Sequence, residues 1–191
     1  PDDLLLKALA HMGITTSSKI VVYGDTPEPA ARMFWCLKYT GVDEVYFLNG
    51  GTEAWTDARY QISDRPAERK PAELFGISEP ANPQYRATTE FVRDIVQNSD
   101  NQSLIIDTRS HKEHIGEFTP YSYLTEKGRI KKSIFGGSPD SSVSMTNYYS
   151  EDHLLRPLDQ IASTWREQGI TSDDTLHFYC GTGWRSSVAW L

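Results

Sequence analysis

The stretch GITTSSKIVVYG beginning at Gly13 returns as GITSDDTLHFYC from Gly169, with Gly, Ile, Thr and Tyr in register. A helical pattern precedes each stretch. Leu4 to Met12 puts Leu5, Leu6 and Leu9 at helical spacing, and Leu158 to Gln168 does the same with Ile161 and Trp165. A further helix is expected after each, over Pro29 to Tyr39 and over Ser186 to Leu191. The recurring unit is helix, glycine turn, short apolar strand, polar loop, helix, and a duplicated domain accounts for it. In a chain of 191 residues the two starts leave room for one full period and a short overlap, so both copies are expected to be truncated.

Residues 1–56 then form the C-terminal part of a first copy, with a strand at Glu44 to Leu48 and a close at Asn49-Gly50-Gly51 and Trp55. Residues 57–84 carry Pro66, Pro71, Pro80 and Pro83 among charges and read as an extended linker. Residues 85–191 form a second copy that lacks its C-terminal part. It has a helix at Thr89 to Gln97, strands at Leu104 to Ile106 and Thr175 to Tyr179, and a long polar loop from Ser110 to about Tyr149. Short apolar strands alternating with helices call for an α/β fold with a mostly parallel sheet flanked by helices. Ligands in such folds bind at the carboxyl ends of strands. Asp107 to Arg109 and Cys180 to Arg185 both fall there.

Composition removes several function classes. Lys plus Arg number 19 against 26 Asp plus Glu, a net charge of −7, which leaves no basic field for nucleic acid or an anionic membrane. No apolar run approaches the roughly 20 residues of a membrane-spanning helix. The start at Pro1 has neither an initiator Met nor a signal segment, so the chain is expected to belong to a longer one. Two cysteines, Cys36 and Cys180, make no disulfide framework and lack zinc spacing. His111 and His114 lie three apart without an acidic or sulfur partner, so no metal site is expected.

The chemistry concentrates in Cys180-Gly181-Thr182-Gly183-Trp184-Arg185-Ser186, between a strand and a helix. Two glycines let the backbone turn sharply and aim successive N–H groups inward, a nest whose complement is an anion. The positive end of the following helix points to the same place. A cysteine opening such a loop has its thiolate stabilised by the amides and by Arg185 and is a good nucleophile. Cys36, inside an apolar helix, reads as structural. A phosphatase cradle needs one more residue between cysteine and arginine, and that position here is Ser186. The shorter cradle suits one transferred sulfur atom.

These residues resemble the rhodaneses, the thiosulfate sulfurtransferase family. Cys180 to Arg185 is similar to the family's active loop, Asp107-Thr108-Arg109 with Glu113 and Gly116 to its early motif, and Asn49-Gly50-Gly51 to Trp55 to its domain-ending motif. The loop CGTGWR and the stretch around Tyr121-Ser122-Tyr123 are most similar to multi-domain exported bacterial members, which implies a periplasmic setting. Gly128-Arg129-Ile130 departs from the family's usual Gly-His-Ile. The resemblance implies double displacement. Cys180 takes the outer sulfur of thiosulfate as a persulfide, sulfite leaves, and the sulfur passes to cyanide or another thiophilic acceptor.

The amides from Gly181 to Ser186 are then expected to stabilise thiolate and persulfide, and Arg185 to bind the anionic donor. Thr182 either offers its hydroxyl to that anion or points outward. Trp184 either walls the pocket or is a rim aromatic packing on the neighbouring domain. Arg109 either faces the donor or supports the loop by pairing with Asp107 or Glu113. No cofactor or metal is required, and the partners are a small anionic sulfur donor and a thiophilic acceptor.

Copy one has Gly24 where copy two has Cys180, followed by Asp25-Thr26-Pro27-Glu28, so it is expected to be inactive and structural. Alternatives are a persulfide carrier or mercaptopyruvate-type sulfurtransferase feeding a protein acceptor, and a non-enzymatic interaction module. Residue chemistry leaves the oligomeric state open.

Overall fold

The computed structural model describes residues 2–68, 70–98 and 102–191. They divide into two units, Pro1–Arg86 and Ala87–Leu191.

The first unit contains α1 (Asp2–His11), β1 (Ile20–Val22), α2 (Pro27–Thr40), β2 (Val45–Phe47), α3 (Gly51–Asp57) and a 3-10 turn at Pro83–Tyr85. Strands β1 and β2 run parallel with Val21 opposite Tyr46. Side chains alternate across a strand, so Val22 and Val45 turn inward and are buried while Val21 and Tyr46 remain exposed on the other face. Leu6 and Leu9 of α1 and Ala30 and Leu37 of α2 join Val22 and Val45 in the apolar core. Helix α2 begins at Pro27, ahead of the expected Pro29, because a first-turn proline loses no intrahelical hydrogen bond.

The segment 57–84, expected as an extended linker, has no helix or strand between Asp57 and Pro83 among its described residues. It is nonetheless attached to the first unit. The Ala72 N–H donates to the Ala10 carbonyl at 2.9 Å and the Thr16 N–H to that of Phe75 at 3.0 Å. The Asn82 Nδ2 donates to the Lys38 carbonyl at 2.7 Å. Phe75, only 3% exposed, enters the core beside Leu6 and Leu9. Proline and charge account for the irregular backbone, but one buried aromatic decides where the segment lies.

The second unit contains α4 (Thr89–Gln97), β3 (Ser103–Asp107), α5 (His111–His114), β4 (Ile134–Phe135), α6 (Leu158–Glu167), β5 (Thr175–Tyr179) and α7 (Trp184–Trp190). Its sheet has the order β4-β3-β5, with every pair parallel. Phe91 of α4 lies against His177, at 5.0 Å between ring centroids, and Trp165 of α6 against Phe178, at 5.9 Å. His177 and Phe178 are consecutive in β5 and face opposite ways, so the two helices flank the sheet on opposite sides. Asp107 is in register with Tyr179, which brings the two strand ends together and lets 108–110 and 180–183 emerge side by side.

Two elements, α5 and β4, interrupt the expected polar loop of residues 110–149; both are shorter than any detectable hydrophobic period. Helix α7 starts at Trp184 instead of the expected Ser186, with Gly183 as its cap at φ 86°.

Phe75→Ala tests the placement of the 57–84 segment. Truncating a core phenylalanine costs about 3–5 kcal/mol, whereas the same change in a solvated linker stays within about 0.5 kcal/mol. Denaturant unfolding read on the first unit is expected to show the larger loss.

Candidate functional site

Strand β3 ends in Asp107, and the residues that follow are buried although polar. Arg109 turns back on Asp107, donating from Nε to Oδ1 at 2.9 Å and from Nη2 to Oδ2 at 2.8 Å. Tyr179 Oη also donates to Asp107 Oδ2, at 2.8 Å, and His114 Nδ1 lies 3.0 Å from the same oxygen. Burial alone would raise the Asp107 carboxyl, but the hydrogen bonds from Arg109, His114 and Tyr179 hold it below the usual carboxylate range. Arg109 also donates to the Gly128 carbonyl at 2.7 Å, and the Ile130 N–H donates to Tyr179 Oη at 3.2 Å. Of the two roles expected for Arg109, the structure shows the pairing with Asp107, made through Nε and Nη2.

Helix α5 opens with a capping box. The Ser110 N–H and hydroxyl both donate to Glu113 Oε2, at 2.9 and 2.8 Å, and the Glu113 N–H donates to Ser110 Oγ at 3.4 Å. Glu113 is fully buried and takes Arg185 as its partner, with Nη1 donating to Oε2 at 2.8 Å and Nη2 to Oε1 at 3.0 Å. Burial opposes both charges, and their mutual hydrogen bonds and attraction win. The Glu113 carboxyl is lowered and the Arg185 guanidinium raised from its ordinary value. Arg185, expected to bind an anionic donor, is 3% exposed and gives both terminal nitrogens to Glu113, because a buried carboxylate needs its charge. Its second Nη2 hydrogen bond goes to Tyr121 Oη, at 2.6 Å.

Cys180 sits half-buried at the end of β5. The Gly183 N–H donates to its sulfur at 3.1 Å, and the thiol lies 3.9 Å from Ser186 Oγ, to which it donates. Burial pushes the thiol up, but the backbone amides of Ser186, Thr182 and Gly183, with the charge of Arg185, bring it below its ordinary value. The Gly181 amide does not join this nest. Its N–H donates to Tyr121 Oη at 3.2 Å, and the Tyr121 ring fills the space a Gly181 side chain would need. Tyr123 Oη donates to the Gly181 carbonyl at 3.2 Å. Thr182 is exposed, as one of its two expected dispositions requires, and Trp184, 48% exposed, stands on the rim.

Tyr121, Tyr123, Tyr179 and His114 carry roles that residue reasoning did not assign. A pair of tyrosines two apart in the loop between Gly116 and Gly128 was the available signal. Cys36 lies in α2, and burial raises its thiol against the opposing charge of Arg32. In the first unit the loop after β1 presents Gly24, and Glu28 is buried in the first turn of α2. The site thus sets a thiol of lowered pKa in an amide nest beside a buried ion pair, an arrangement suited to nucleophilic transfer.

Sequence comparison matches residues 1–58 and 88–191 to the Rhodanese-like domain. The chain is 32% identical over its full length to the thiosulfate sulfurtransferase YnjE of Escherichia coli strain K12, of which it covers 43%. It is similar to a crystal structure of the anaerobic ergothioneine biosynthesis enzyme from Chlorobium limicola in complex with its natural substrate trimethyl histidine. There the TM-score is 0.92 at 34% identity, over 100% of this chain and 48% of that one. It is also similar to a structure of EanB bearing a cysteine persulfide in a tetrahedral intermediate state with ergothioneine, with TM-score 0.92, 33% identity and coverage of 100% and 48%. The chain spans about half the length of these relatives.

The two thiols are expected to titrate on opposite sides of an ordinary cysteine. Folding lowers the pKa of Cys180, so its thiolate favours the fold above the unfolded thiol's pKa of about 8.5. That contribution is lost as pH falls through the lowered value. Alkylation by iodoacetamide, mapped by peptide mass, should persist to lower pH at Cys180 than at Cys36, and coincident profiles would contradict the amide nest. Glu113→Ala should cost about 3–5 kcal/mol in chemical denaturation, the usual effect of stranding a buried charge.

Proposed function

The chain belongs to the rhodanese family, and on that premise we propose that it is a sulfurtransferase moving sulfane sulfur from thiosulfate to cyanide or another thiophilic acceptor through a persulfide on Cys180. The observation that carries this reading is the amide nest around Cys180, with Gly183 N–H on the sulfur at 3.1 Å and the thiol below its ordinary value.

The Cys180 thiolate attacks the outer sulfur of thiosulfate. A sulfur–sulfur bond forms on Cys180 as the one to sulfite breaks, and sulfite departs with the electron pair. The acceptor then attacks the outer persulfide sulfur, and the thiolate of Cys180 leaves. Both steps pass negative charge through the Cys180 sulfur, where the amides of Thr182, Gly183 and Ser186 and the charge of Arg185 stabilise it. Asp107, Arg109 and Glu113 support the loop from below, and Trp184 walls its rim. Among the described residues only the second unit holds a cysteine after a strand end, so the first unit is assigned a structural part.

A second reading concerns the acceptor. The Tyr121 and Tyr123 hydroxyls reach the Gly181 backbone, and their tilted rings put aromatic faces beside the loop on which a flat acceptor such as an imidazole can stack. The similarity to an enzyme whose substrate is trimethyl histidine supports it.

Intact mass after incubation with thiosulfate tests the reaction. A gain of one sulfur, about 32 Da, is expected on the native chain and not on Cys180→Ala, and it should disappear on adding cyanide. Loss of the same adduct to trimethyl histidine, with a gain of one sulfur on that compound, selects the second acceptor. Absence of any adduct on the folded chain would reject enzymatic transfer from thiosulfate and favour the interaction-module or mercaptopyruvate alternatives.

A further inference from the structure

Between Gly116 and Gly128 the chain leaves the body of the second unit and returns. Both glycines are left-handed, at φ 83° and 113°, and a Cβ on Gly116 would lie 3.3 Å from the Gly128 Cα, so they pinch the neck of an arm. Residues 122–127 of that arm are all exposed. Behind the neck, the Gly128 carbonyl and Ile130 N–H are tied to Arg109 and Tyr179, which fixes the base of the arm to the sheet. At its tip, two tyrosine hydroxyls reach the catalytic loop. Tyr123 donates to the Gly181 carbonyl, and Tyr121 accepts from both the Gly181 N–H and Arg185 Nη2.

Those two donors have a chemical meaning. The first amide of a loop that begins with the nucleophile, and the arginine that follows it, are the groups an incoming oxyanion would use. Glu113 already takes one hydrogen of Arg185 Nη2 and a second from Nη1. The hydrogen given to Tyr121 is the one that turns toward the loop. A phenol oxygen sitting on both donors occupies the position of an anion oxygen.

We propose that Tyr121 is a specificity-determining residue whose hydroxyl is an internal competitor of the anionic sulfur donor. It holds Gly181 N–H and Arg185 Nη2 until the donor displaces it and the arm swings on its glycine neck. This rests on the sulfur-transfer reading for the identity of the donor, but the competition is a property of the loop. A donor must supply an oxyanion strong enough to replace a neutral phenol at those two groups, which favours thiosulfate over an uncharged persulfide.

Alkylation of Cys180 by two reagents that differ in charge tests the proposal without sulfur transfer. Iodoacetate carries a carboxylate able to use the vacated donors, and iodoacetamide does not. In Tyr121→Phe, which keeps the ring over Gly181 and removes only the hydroxyl, the iodoacetate to iodoacetamide rate ratio at Cys180 is expected to rise several-fold, and KM for thiosulfate to fall. An unchanged or lower ratio overturns the proposal, because an arm whose release only opened access to the sulfur, with no anion taking up the two donors, would accelerate both reagents alike. If circular dichroism shows Tyr121→Phe to be unfolded, Tyr123→Phe, which releases the same arm from the Gly181 carbonyl, must raise the ratio for the proposal to stand. A raised ratio with no thiosulfate adduct would retain the anion competition and reject thiosulfate as the donor.

Discussion

The buried pair of Glu113 and Arg185 is the interaction on which the Cys180 loop depends. A carboxylate removed from water is costly unless a charge and hydrogen bonds compensate it. Here Arg185 supplies both terminal nitrogens and Ser110 supplies two further donors. Arg185 is the second residue of α7 and Glu113 lies in α5, so satisfying one carboxylate fixes two short helices that neither length nor propensity would hold in place. The turn from Cys180 to Gly183 is thereby shaped from below, and the charge of Arg185 reaches the sulfur while its fork holds Glu113.

Asp107 performs the same service one layer deeper. Arg109, His114 and Tyr179 converge on a single carboxylate, and through Arg109 and Tyr179 the network reaches the backbone at Gly128 and Ile130. The polar cluster therefore joins the parallel strands β3 and β5 to the base of the tyrosine arm. Cys180, its amide nest and the arm are held by two carboxylates whose hydrogen bonds go to other groups than the sulfur.

Much of this architecture was legible in the residues. The recurrence from Gly13 and from Gly169, together with short apolar runs between helical patterns, leads directly to an α/β fold with parallel strands, because period and turn chemistry are local properties. Cys180, its glycines and Arg185 stood out for the same reason: a nest is a feature of contiguous backbone. The elements that escaped notice were those whose cause lies elsewhere in the chain. Helix α5 has four residues and strand β4 two, too few for any period, and Phe75 looked like part of a solvated connector until its place among Leu6 and Leu9 was seen.

The sequence by itself thus determined the fold class, the place of Cys180 at a strand end and the glycine turn around it, since each follows from neighbours along the chain. Tertiary structure alone decided how the charges were spent. Arg109 and Glu113 are four residues apart, yet Arg109 turned back to Asp107 while Glu113 took Arg185 from far along the chain. Proximity of opposite charges in sequence does not settle pairing when burial leaves each carboxylate in need of whichever donors the fold brings within reach. The position of Tyr121 over Gly181 is of the same kind, because an exposed arm has no local pattern that says what its tip will touch.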